Sequence, residues 1–410
     1  MANLQIRSHG FAMSSSSADP LGFAAEALAA LDRAELRRSL RTVESAQSPE
    51  IVVDGRAVLC LCSNNYLGLA NDPRLTRAAV AATTRFGCGS GASRLISGNV
   101  TIHDELEREL ARWKGTEAAL LFNSGYHANC GALPALAGPG DLILSDELNH
   151  ASLIDGCRLS RATVRVYRHG DAGDVARLLD DRASFGRALI VTDTVFSMDG
   201  DLAPLPDLLD LASRRDALLY CDEAHASGVL GEHGRGAVEH LHVADRRVVQ
   251  MGTLGKALGS FGAYVATSRD AAELLLNRAR SFVFTTGLPP AVCAASLAAV
   301  RVVREEPERR ERVRSLARRL RQSLAALGFT VAGEVDVPIV PVIVGDASPT
   351  MALARELFER GVLASGIRPP TVPAGTSRIR ATLMATMTDE HVERAVEAFA
   401  EAGRACRIIG

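Results

Sequence analysis

Six short apolar runs recur through the middle of the chain, separated by segments mostly long enough to form helices. They cover residues 118–122, 142–144, 163–167, 188–192, 217–221 and 248–251. Their hydrophobicity is continuous rather than alternating, which is typical of strands that are buried on both faces. The pattern therefore predicts an α/β protein with a mainly parallel sheet covered by helices.

Polar residues follow several of these predicted strands. They are Asn123 to Tyr126, Ser145 and Asp146, Thr194 and Ser197, Asp222 to His225, and then Thr253 and Lys256. Ligands of open α/β sheets bind beyond the carboxyl ends of the strands. We therefore expect these separate clusters to converge on one pocket.

Other patterns flank the predicted sheet. Residues 22–41 predict an amphipathic helix, and 51–60 predict a hairpin around the turn Asp54-Gly55. After about Pro290 the pattern predicts a long arginine-rich helix, a short-strand region, two further helices and a strand, at 301–327, 337–344, 351–360, 389–402 and 377–380.

These patterns divide the chain into four parts. Residues 1–20 are expected to form a disordered extension, and 21–60 an N-terminal helix and hairpin. Residues 61–290 are expected to form a large domain, and 291–410 a smaller α+β domain.

Charge and cysteine content narrow the function. A net charge of −2 and a pI near 6.6 argue against nucleic acid as the main partner. No apolar run approaches the roughly 18 residues that span a bilayer. The eight cysteines are scattered without zinc-binding spacing, so we expect no metal site and a reduced, cytoplasmic environment.

Lysine is nearly absent from the chain, since only Lys114 and Lys256 occur among 46 basic residues. Arginine stays protonated, whereas a desolvated lysine amine can lose its proton and attack a carbonyl to form a Schiff base. Lys256, in a glycine-containing turn after a predicted strand, is therefore the candidate nucleophile. Lys114 ends a helical pattern just before Gly115, which predicts a cation at a helix C-terminus.

Two nucleotide-binding motifs are excluded. A P-loop ending at Gly255-Lys256 would need a glycine where Gln250 stands and a hydroxyl where Ala257 stands. The run 87–92 formally fits a dinucleotide fingerprint, but the residues before it have a helical pattern rather than that of a strand. We interpret this run as a close-approach loop near a ligand or, alternatively, as a plain linker.

Asp222, His225 and Lys256 together match what pyridoxal 5'-phosphate (PLP) requires. The ring nitrogen of PLP needs a buried anion beside it, which Asp222 can supply, and His225 can hydrogen-bond the phenolic oxygen. The phosphate is expected on backbone N–H groups at a helix start and on a hydroxyl, at Gly125, Tyr126 and Thr253. The alternative is that Asp222 is a helix N-cap and His225 an ordinary satisfied polar residue.

Three segments resemble the α-oxoamine synthases, which are PLP enzymes of fold type I with the aspartate-aminotransferase fold. These segments are 196–201, 222–225 and 253–256. The resemblance runs from about Arg41 to the C-terminus. It implies a homodimeric acyltransferase that condenses an amino acid with an acyl thioester and releases CO₂.

Two further segments, 149–156 and 366–376, resemble the family members that act in biotin biosynthesis. Those enzymes join L-alanine to a pimeloyl thioester and form 8-amino-7-oxononanoate. The resemblance implies that His150 stacks on the cofactor ring and that Ser197 lies in the cofactor site. It also implies a substrate site that includes His150 and comprises, in addition, Arg41, Asn65, Arg368 and Thr371.

Several alternatives stay open at this stage. A sister enzyme would use glycine and another acyl-CoA, and a non-catalytic scaffold would keep only the fold. Arg368 could be an ordinary surface arginine. The pimeloyl group could arrive on coenzyme A or on acyl carrier protein, and the C-terminal arginines could meet that acidic carrier or form a solvated face. The loop near Gly89 and the pair 285–286 are the segments expected to reach a partner subunit's site.

Overall fold

The computed structural model describes residues 20–33, 36–334 and 336–410. Two compact units are distinguished, the first ending at Thr42 and the second spanning Val43–Gly410. The first contains helix α1 (Gly22–Arg33), so the prediction of a helix over 22–41 was wrong in its length. The N–H of Leu36 donates to Leu31 O at 2.8 Å, a bond of the kind that closes a helix C-terminus. The predicted extension, 1–20, lies outside the described residues except for its last position.

The second unit begins with the predicted hairpin. Strands β1 (Glu50–Val53) and β2 (Arg56–Cys60) pair in antiparallel fashion. The turn residues Asp54 and Gly55 have φ angles of 51° and 77°, a conformation that aspartate tolerates and glycine adopts freely. Strand β12 (Val362–Leu363) pairs with β2 in parallel. The hairpin is therefore part of the C-terminal half of the fold as well as its beginning.

Within the described residues, seven strands form the central sheet. They are β3 (Ala118–Phe122), β4 (Leu142–Asp146), β5 (Thr163–Tyr167), β6 (Ala188–Asp193), β7 (Leu218–Asp222), β8 (Val248–Thr253) and β9 (Ala263–Thr267). Their order is β3-β9-β8-β7-β6-β4-β5, and β9 is antiparallel to both of its neighbours. The other strand pairs are parallel, so the predicted sheet is confirmed, with β9 as an addition that the sequence analysis missed.

Helices connect and flank the strands of this sheet. They are α2 (Pro73–Phe86), α3 (Thr101–Lys114), α4 (Gly125–Leu136), α5 (Ala151–Ser160), α6 (Ala172–Leu178), α7 (Leu205–Arg214), α8 (Ala237–His240), α9 (Arg269–Arg278) and α10 (Arg280–Val283). Successive residues of one strand enter different cores: Ile190 packs in one cluster, whereas Leu189 and Val191 pack in the other. Burial on both faces explains the continuous hydrophobicity of the strand sequences.

The C-terminal part of the second unit combines helices with a small antiparallel sheet. The helices are α11 (Pro290–Glu305), α12 (Glu308–Ala326), α13 (Ala347–Glu359) and α14 (Asp389–Ala405), and the sheet contains β10 (Thr330–Val331), β11 (Ile339–Gly345), β13 (Ser365–Ile367) and β14 (Ser377–Thr382). A domain boundary near residue 291 stays our proposal. None of the helices in the described part of the chain is long and apolar enough to cross a membrane.

The single long helix predicted over 301–327 was wrong, because Pro307 divides it into α11 and α12. Proline lacks the N–H that a helix interior needs, and it disfavours helical geometry at the residue before it. Glu306 accordingly leaves the helical region, with φ −120° and ψ 67°.

The second lysine, Lys114, forms a buried ion pair with Glu223. Lys114 is the last residue of α3 and precedes a left-handed Gly115, as predicted. Its side chain and that of Glu223 are both 0% exposed, and Lys114 Nζ donates to Glu223 Oε2 and to Arg235 O. Burial is the largest effect and lowers the pKa of Lys114, but the charge and hydrogen bond of Glu223, together with Tyr264 and Cys221, outweigh it, so the net shift is upward. Lys114 is thus an internal cation rather than only a helix-end charge.

We expect Lys114→Met to destabilise the apo-protein by about 3–5 kcal/mol, because it leaves the Glu223 carboxylate buried without its partner. Urea unfolding measures this change. Replacing both partners, Lys114→Met with Glu223→Gln, should recover most of the loss. Arg112→Met on the same helix is the matched control: Arg112 is 70% exposed and pairs with Glu109, so about 1 kcal/mol or less is expected. A Lys114→Met protein as stable as the control would contradict the assignment.

Candidate active site

Lys256 and His225 are in direct contact beyond the carboxyl ends of β8 and β7. Lys256 Nζ lies 2.8 Å from His225 Nε2, and the other ring nitrogen of His225 lies 2.7 Å from the Tyr66 hydroxyl. Tyr66 donates to Asn64 Oδ1 at 3.1 Å. Burial, reinforced by the charges of Lys256 and Arg380, lowers the pKa of His225 well below its usual value. The imidazole is therefore neutral and fixed at both nitrogens.

The Lys256 amine is tuned for nucleophilic chemistry. Burial lowers its pKa from 10.5 to about 8, against the opposing charge of Asp222. A substantial fraction of the amine is consequently unprotonated near neutral pH. Only the unprotonated amine can attack a carbonyl, so the position has the property that sequence analysis expected of Lys256.

Asp222 is the last residue of β7 and is buried. Its Oδ2 accepts from Asn129 Nδ2 at 2.8 Å, and Oδ1 accepts from the N–H of Ala224 at 2.9 Å. The Tyr220 hydroxyl donates to Asn129 Oδ1 at 2.9 Å and so fixes the amide. Asp222 caps a turn, since residues 224–229 form turns, and the alternative of a helix N-cap is not observed.

His150 occupies the N-cap of α5. Its ring Nδ1 accepts from the backbone N–H of Ser152 at 3.2 Å, and the backbone N–H of His150 donates to Asp193 Oδ2 at 2.7 Å. Partial burial and the charge of Lys256 lower the pKa of the ring, although Asp222 acts in the opposite direction. The structure thus brings His150 into electrostatic contact with both Lys256 and Asp222, and it anchors the ring by its Nδ1 edge.

The predicted phosphate residues lie at the start of α4 and the end of β8. Ser124 caps α4 by accepting from the N–H of His127 at 3.2 Å, so Gly125 and Tyr126 provide the preceding N–H groups of the helix. A Cβ added to Gly125 would lie 3.8 Å from Met251 Cε, an ordinary van der Waals contact, so nothing crowds this helix start. The Thr253 hydroxyl donates to Gly262 O at 3.1 Å, and its contact with phosphate stays a prediction.

A buried arginine connects Ser197 to this group. Arg380 Nε donates to the carbonyl oxygen of Ser197, and Arg380 Nη2 donates to the Tyr66 hydroxyl at 3.3 Å. Tyr66 in turn contacts His225. The loop that carries Ser197 is therefore positioned on the His225 side of the site.

The predicted substrate residues are more dispersed. Asn65 is buried, and its Nδ2 has no hydrogen-bond partner among the described residues. A buried donor of this kind can form a hydrogen bond with a ligand. Arg368 follows β13 and donates to Met351 Sδ at 3.1 Å, and its carbonyl accepts from the N–H of Thr371 at 3.1 Å. Arg41 belongs to the first unit. Substrate contacts of these residues stay predictions.

Four residues of the site escaped the sequence analysis: Tyr66, Asn129, Asp193 and Arg380. Asp193 could have been found, because it ends the predicted strand that Thr194 follows. Arg380 carried a weaker signal as a charged residue within an apolar strand pattern. Tyr66 and Asn129 lie in a loop and a helix, and local sequence gave no reason to place them beside Asp222 or His225.

The donor set fits PLP. A buried aspartate, a lysine amine with a lowered pKa and a neutral imidazole meet at the ends of β7 and β8, and the N-terminus of α4 lies at Gly125. The unpaired donor of Asn65 supplies a further polar contact for a ligand. These are the groups that the ring and the phosphate of PLP require.

Comparisons with known proteins agree with this fit. The profile of the aminotransferase class I and II family matches residues 56–399. The 8-amino-7-oxononanoate synthase of Geobacter sulfurreducens is 56% identical over 377 residues, which cover 91% of this chain and 96% of that protein. Many further relatives match, among them synthases of the same name from other bacteria.

Solved structures of two kinds share the fold. Serine palmitoyltransferase of Sphingomonas wittichii has a TM-score of 0.90 at 34% identity, covering 96% of this chain and all of that one. The 8-amino-7-oxononanoate synthase of Francisella tularensis has a TM-score of 0.74 at 28% identity, covering 85% and 98%. Other similar serine palmitoyltransferase structures contain PLP.

The lowered pKa of Lys256 predicts the pH dependence of its reactivity. In competitive acetylation of the apo-protein with acetic anhydride, the Lys256 rate should reach half of its maximum near pH 8, because the neutral amine reacts. Peptide mass spectrometry resolves the two lysines of the chain. Lys114, buried in its ion pair, is the internal control and should stay unlabelled in the folded protein. A Lys256 rate that still rises steeply above pH 9.5 would contradict the lowered pKa.

Proposed function

The chain belongs to the class I and II aminotransferase family, and we infer that it forms 8-amino-7-oxononanoate from L-alanine and a pimeloyl thioester in biotin biosynthesis. The observation that carries this proposal is the Lys256 amine, of lowered pKa, held 2.8 Å from a neutral His225 in a chain that is 56% identical to a synthase of that name. The reaction joins the α-carbon of alanine to the thioester carbonyl and releases the thiol and CO₂.

The residues present would hold PLP at the edge of the sheet. Asp222 would face the ring nitrogen, His225 the phenolic oxygen, His150 the ring face, and the start of α4 the phosphate, with Ser197 also in the cofactor site. When bound, PLP supplies an electron-accepting ring that stabilises negative charge on the α-carbon of the amino acid. The hydrogen bonds from Asn129 and from the backbone N–H of Ala224 orient the Asp222 carboxyl group for this task.

Lys256 is the base in this proposal. With a pKa of about 8, its amine can accept the α-proton of alanine at Nζ and later return a proton to the product. His225 holds Nζ in place through the 2.8 Å contact. In the same proposal His150 stabilises the negative charge that develops on the thioester oxygen, and Arg368 binds the carboxylate of alanine through two hydrogen bonds.

The arginines of α12 favour the interpretation of a solvated face over a docking surface for acyl carrier protein. Along this helix, Arg312 pairs with Asp389, Arg314 with Glu311, Arg318 with Asp336 and Arg319 with Glu393. Internal ion pairs neutralise much of the positive charge that an acidic partner would need. We therefore propose coenzyme A as the first donor to test, with acyl carrier protein as the alternative.

We further propose that the enzyme is a cytoplasmic homodimer. The loop around Gly89 and the pair 285–286 lie together, since the N–H of Gly287 donates to Ala92 O at 3.0 Å. Beside them Ile96 and Phe284 are 81% and 72% exposed, an apolar surface that a second copy would cover. The eight cysteines are all unpaired, which suits a reducing compartment.

A sister reaction with another amino acid and another acyl-CoA is the second candidate. The TM-score of 0.90 with serine palmitoyltransferase favours it, but at 34% identity that score reports the shared fold rather than the acyl chain. A non-catalytic scaffold is disfavoured, because Lys256, Asp222 and His225 are all present, Lys256 Nζ contacts His225, and the charge of Asp222 acts on Lys256.

Spectroscopy and product analysis test the proposed function. The purified protein should take up PLP with a visible absorbance band that Lys256→Ala alters, and should release CO₂ from L-alanine with pimeloyl-CoA. We expect kcat/KM for that pair to exceed the values for glycine with acetyl-CoA and serine with palmitoyl-CoA. Preference for either of the other pairs would move the function to a sister enzyme, and absence of PLP uptake would overturn it.

Arg368→Lys tests the alanine contact. The variant keeps the charge but loses the paired geometry of the guanidinium, so KM for L-alanine should rise about 10- to 100-fold, which corresponds to one charge-assisted hydrogen bond. Arg360→Lys is the matched control, because Arg360 pairs with Glu356 and Glu401 on the helix surface. If both variants bind L-alanine like the wild type, Arg368 is the surface arginine of the alternative interpretation.

A further inference from the structure

A second carboxylate lies directly beside Asp222. Asp193 is the last residue of β6, Asp222 is the last residue of β7, and the two are opposite partners in the parallel ladder. Opposite residues of adjacent strands project to the same face of the sheet. The residues are 4% and 3% exposed, so two carboxyl groups share one buried region.

The surroundings contain too little positive charge for both groups to be ionised. Burial, then Asp222 and Asp146, raise the pKa of Asp193 well above its ordinary value, opposed by the hydrogen bond from His150 N–H and by Lys256. Lys256 acts on Asp222 as well, and its own pKa is lowered to about 8. Neighbouring carboxyl groups that cannot both ionise share a proton.

Asp193 is also joined to the turn that carries His150. Its Oδ2 accepts from the N–H of His150 at 2.7 Å, and its own N–H donates to Asn149 Oδ1 at 2.9 Å. Asn149 Nδ2 donates to Val191 O at 2.8 Å, which adds a third bond between this turn and β6. The position of His150 therefore depends on the end of β6. The Asp193 side chain makes the bond to the backbone N–H of His150 itself, and the other two bonds hold the neighbouring Asn149.

We propose that Asp193 is a positioning residue that fixes His150 at the cofactor site and retains a proton beside Asp222, so that the buried pair carries one negative charge. The proposal rests on the proposed function for its catalytic meaning. Asp222 then remains the single anion for the ring nitrogen. An asparagine at 193 reproduces a neutral acceptor of the same shape, whereas an alanine removes the acceptor.

The stability of the apo-protein as a function of pH tests the proton directly, with no cofactor present. Below the unfolded pKa of about 3.9, Asp193 is protonated in both states and Asp193→Asn should match the wild type. Above it, the unfolded wild type ionises while the folded protein keeps its proton. The wild type should then lose stability relative to Asp193→Asn, by about tenfold in the unfolding equilibrium for each pH unit up to the folded pKa.

Asp141→Asn is the matched control, and its stability relative to the wild type should change with pH in the opposite direction. Asp141 is also buried and accepts from backbone N–H groups, those of Gly138 and Arg187, but it precedes β4 at the other edge of the sheet. Burial raises the pKa of Asp141, yet Arg187 outweighs it and the net shift is downward. Asp141→Asn should therefore lose stability relative to the wild type as pH rises towards the unfolded pKa of about 3.9, and the difference should stay constant at higher pH. If Asp193→Asn behaves in the same way, Asp193 is ionised and the proposal fails.

The PLP-loaded enzyme tests the positioning of His150. With Asp193→Asn, the pH at which the visible band of the bound cofactor changes should stay within about 0.3 unit of the wild type, since the charge near Lys256 is the same. With Asp193→Ala, we expect weaker visible circular dichroism and a kcat lowered by about 10- to 100-fold, because His150 loses its anchor. Wild-type dichroism and kcat in Asp193→Ala would overturn the proposal.

Failure of the proposed function and failure of the Asp193 proposal would give different results. A wild-type protein that takes up no PLP would refute the proposed function, while the pH dependence of apo-protein stability would still decide whether Asp193 carries a proton. A wild type with normal cofactor uptake and turnover, combined with an ionised Asp193 or an unaffected Asp193→Ala, would refute the inference alone.

Discussion

The burial of the Lys256 amine beside strand-end carboxylates is the interaction on which the site depends. Desolvation alone would leave the lysine neutral and would protonate the acids, while attraction alone would keep them all charged. The pKa of about 8 is the balance of these effects. Parallel strands produce this balance economically, because β6 and β7 end side by side and β8 ends next to β7, so the polar residues after each strand share one small volume.

The pleat of β7 separates two charge systems that the sequence places next to each other. Asp222 faces Asn129 and the cofactor side, whereas Glu223, one residue later, pairs with Lys114. Both lysines of the chain therefore act on consecutive acidic residues. The closed space at Lys114 suits a compact ammonium, since the side chain is fully buried and its two acceptors lie close to Nζ. An Arg-rich chain keeps lysine where a small or a deprotonatable cation is needed.

Sequence patterns predicted the features that depend on neighbouring residues in the chain. Continuous apolar runs gave the strands, and the polar residues after them gave Lys256, Asp222 and His225, because both signals arise from neighbours in the chain. The contacts that complete the site join distant segments: Tyr66 to His225 across 159 positions and Arg380 to Tyr66 across 314. No local pattern encodes such pairs. The prediction of one helix over 301–327 failed for another reason. Arginine-rich amphipathic segments lie on both sides of Pro307, and their shared pattern hides the break that a single proline causes.

Some site residues lie at strand ends and others lie in loops. This difference explains why the cofactor is easier to assign than the acyl donor. Lys256, Asp222 and Asp193 are set by the sheet, which the chain shares with serine palmitoyltransferase at a TM-score of 0.90. Arg368 and Thr371 lie in a loop outside that sheet, and Arg41 lies in a separate unit. A fold fixes the geometry of its sheet more tightly than that of its loops. The substrate residues that we propose therefore lie in segments that structural similarity constrains least, which is why the 56% sequence identity carries more weight for the acyl donor than the TM-score does.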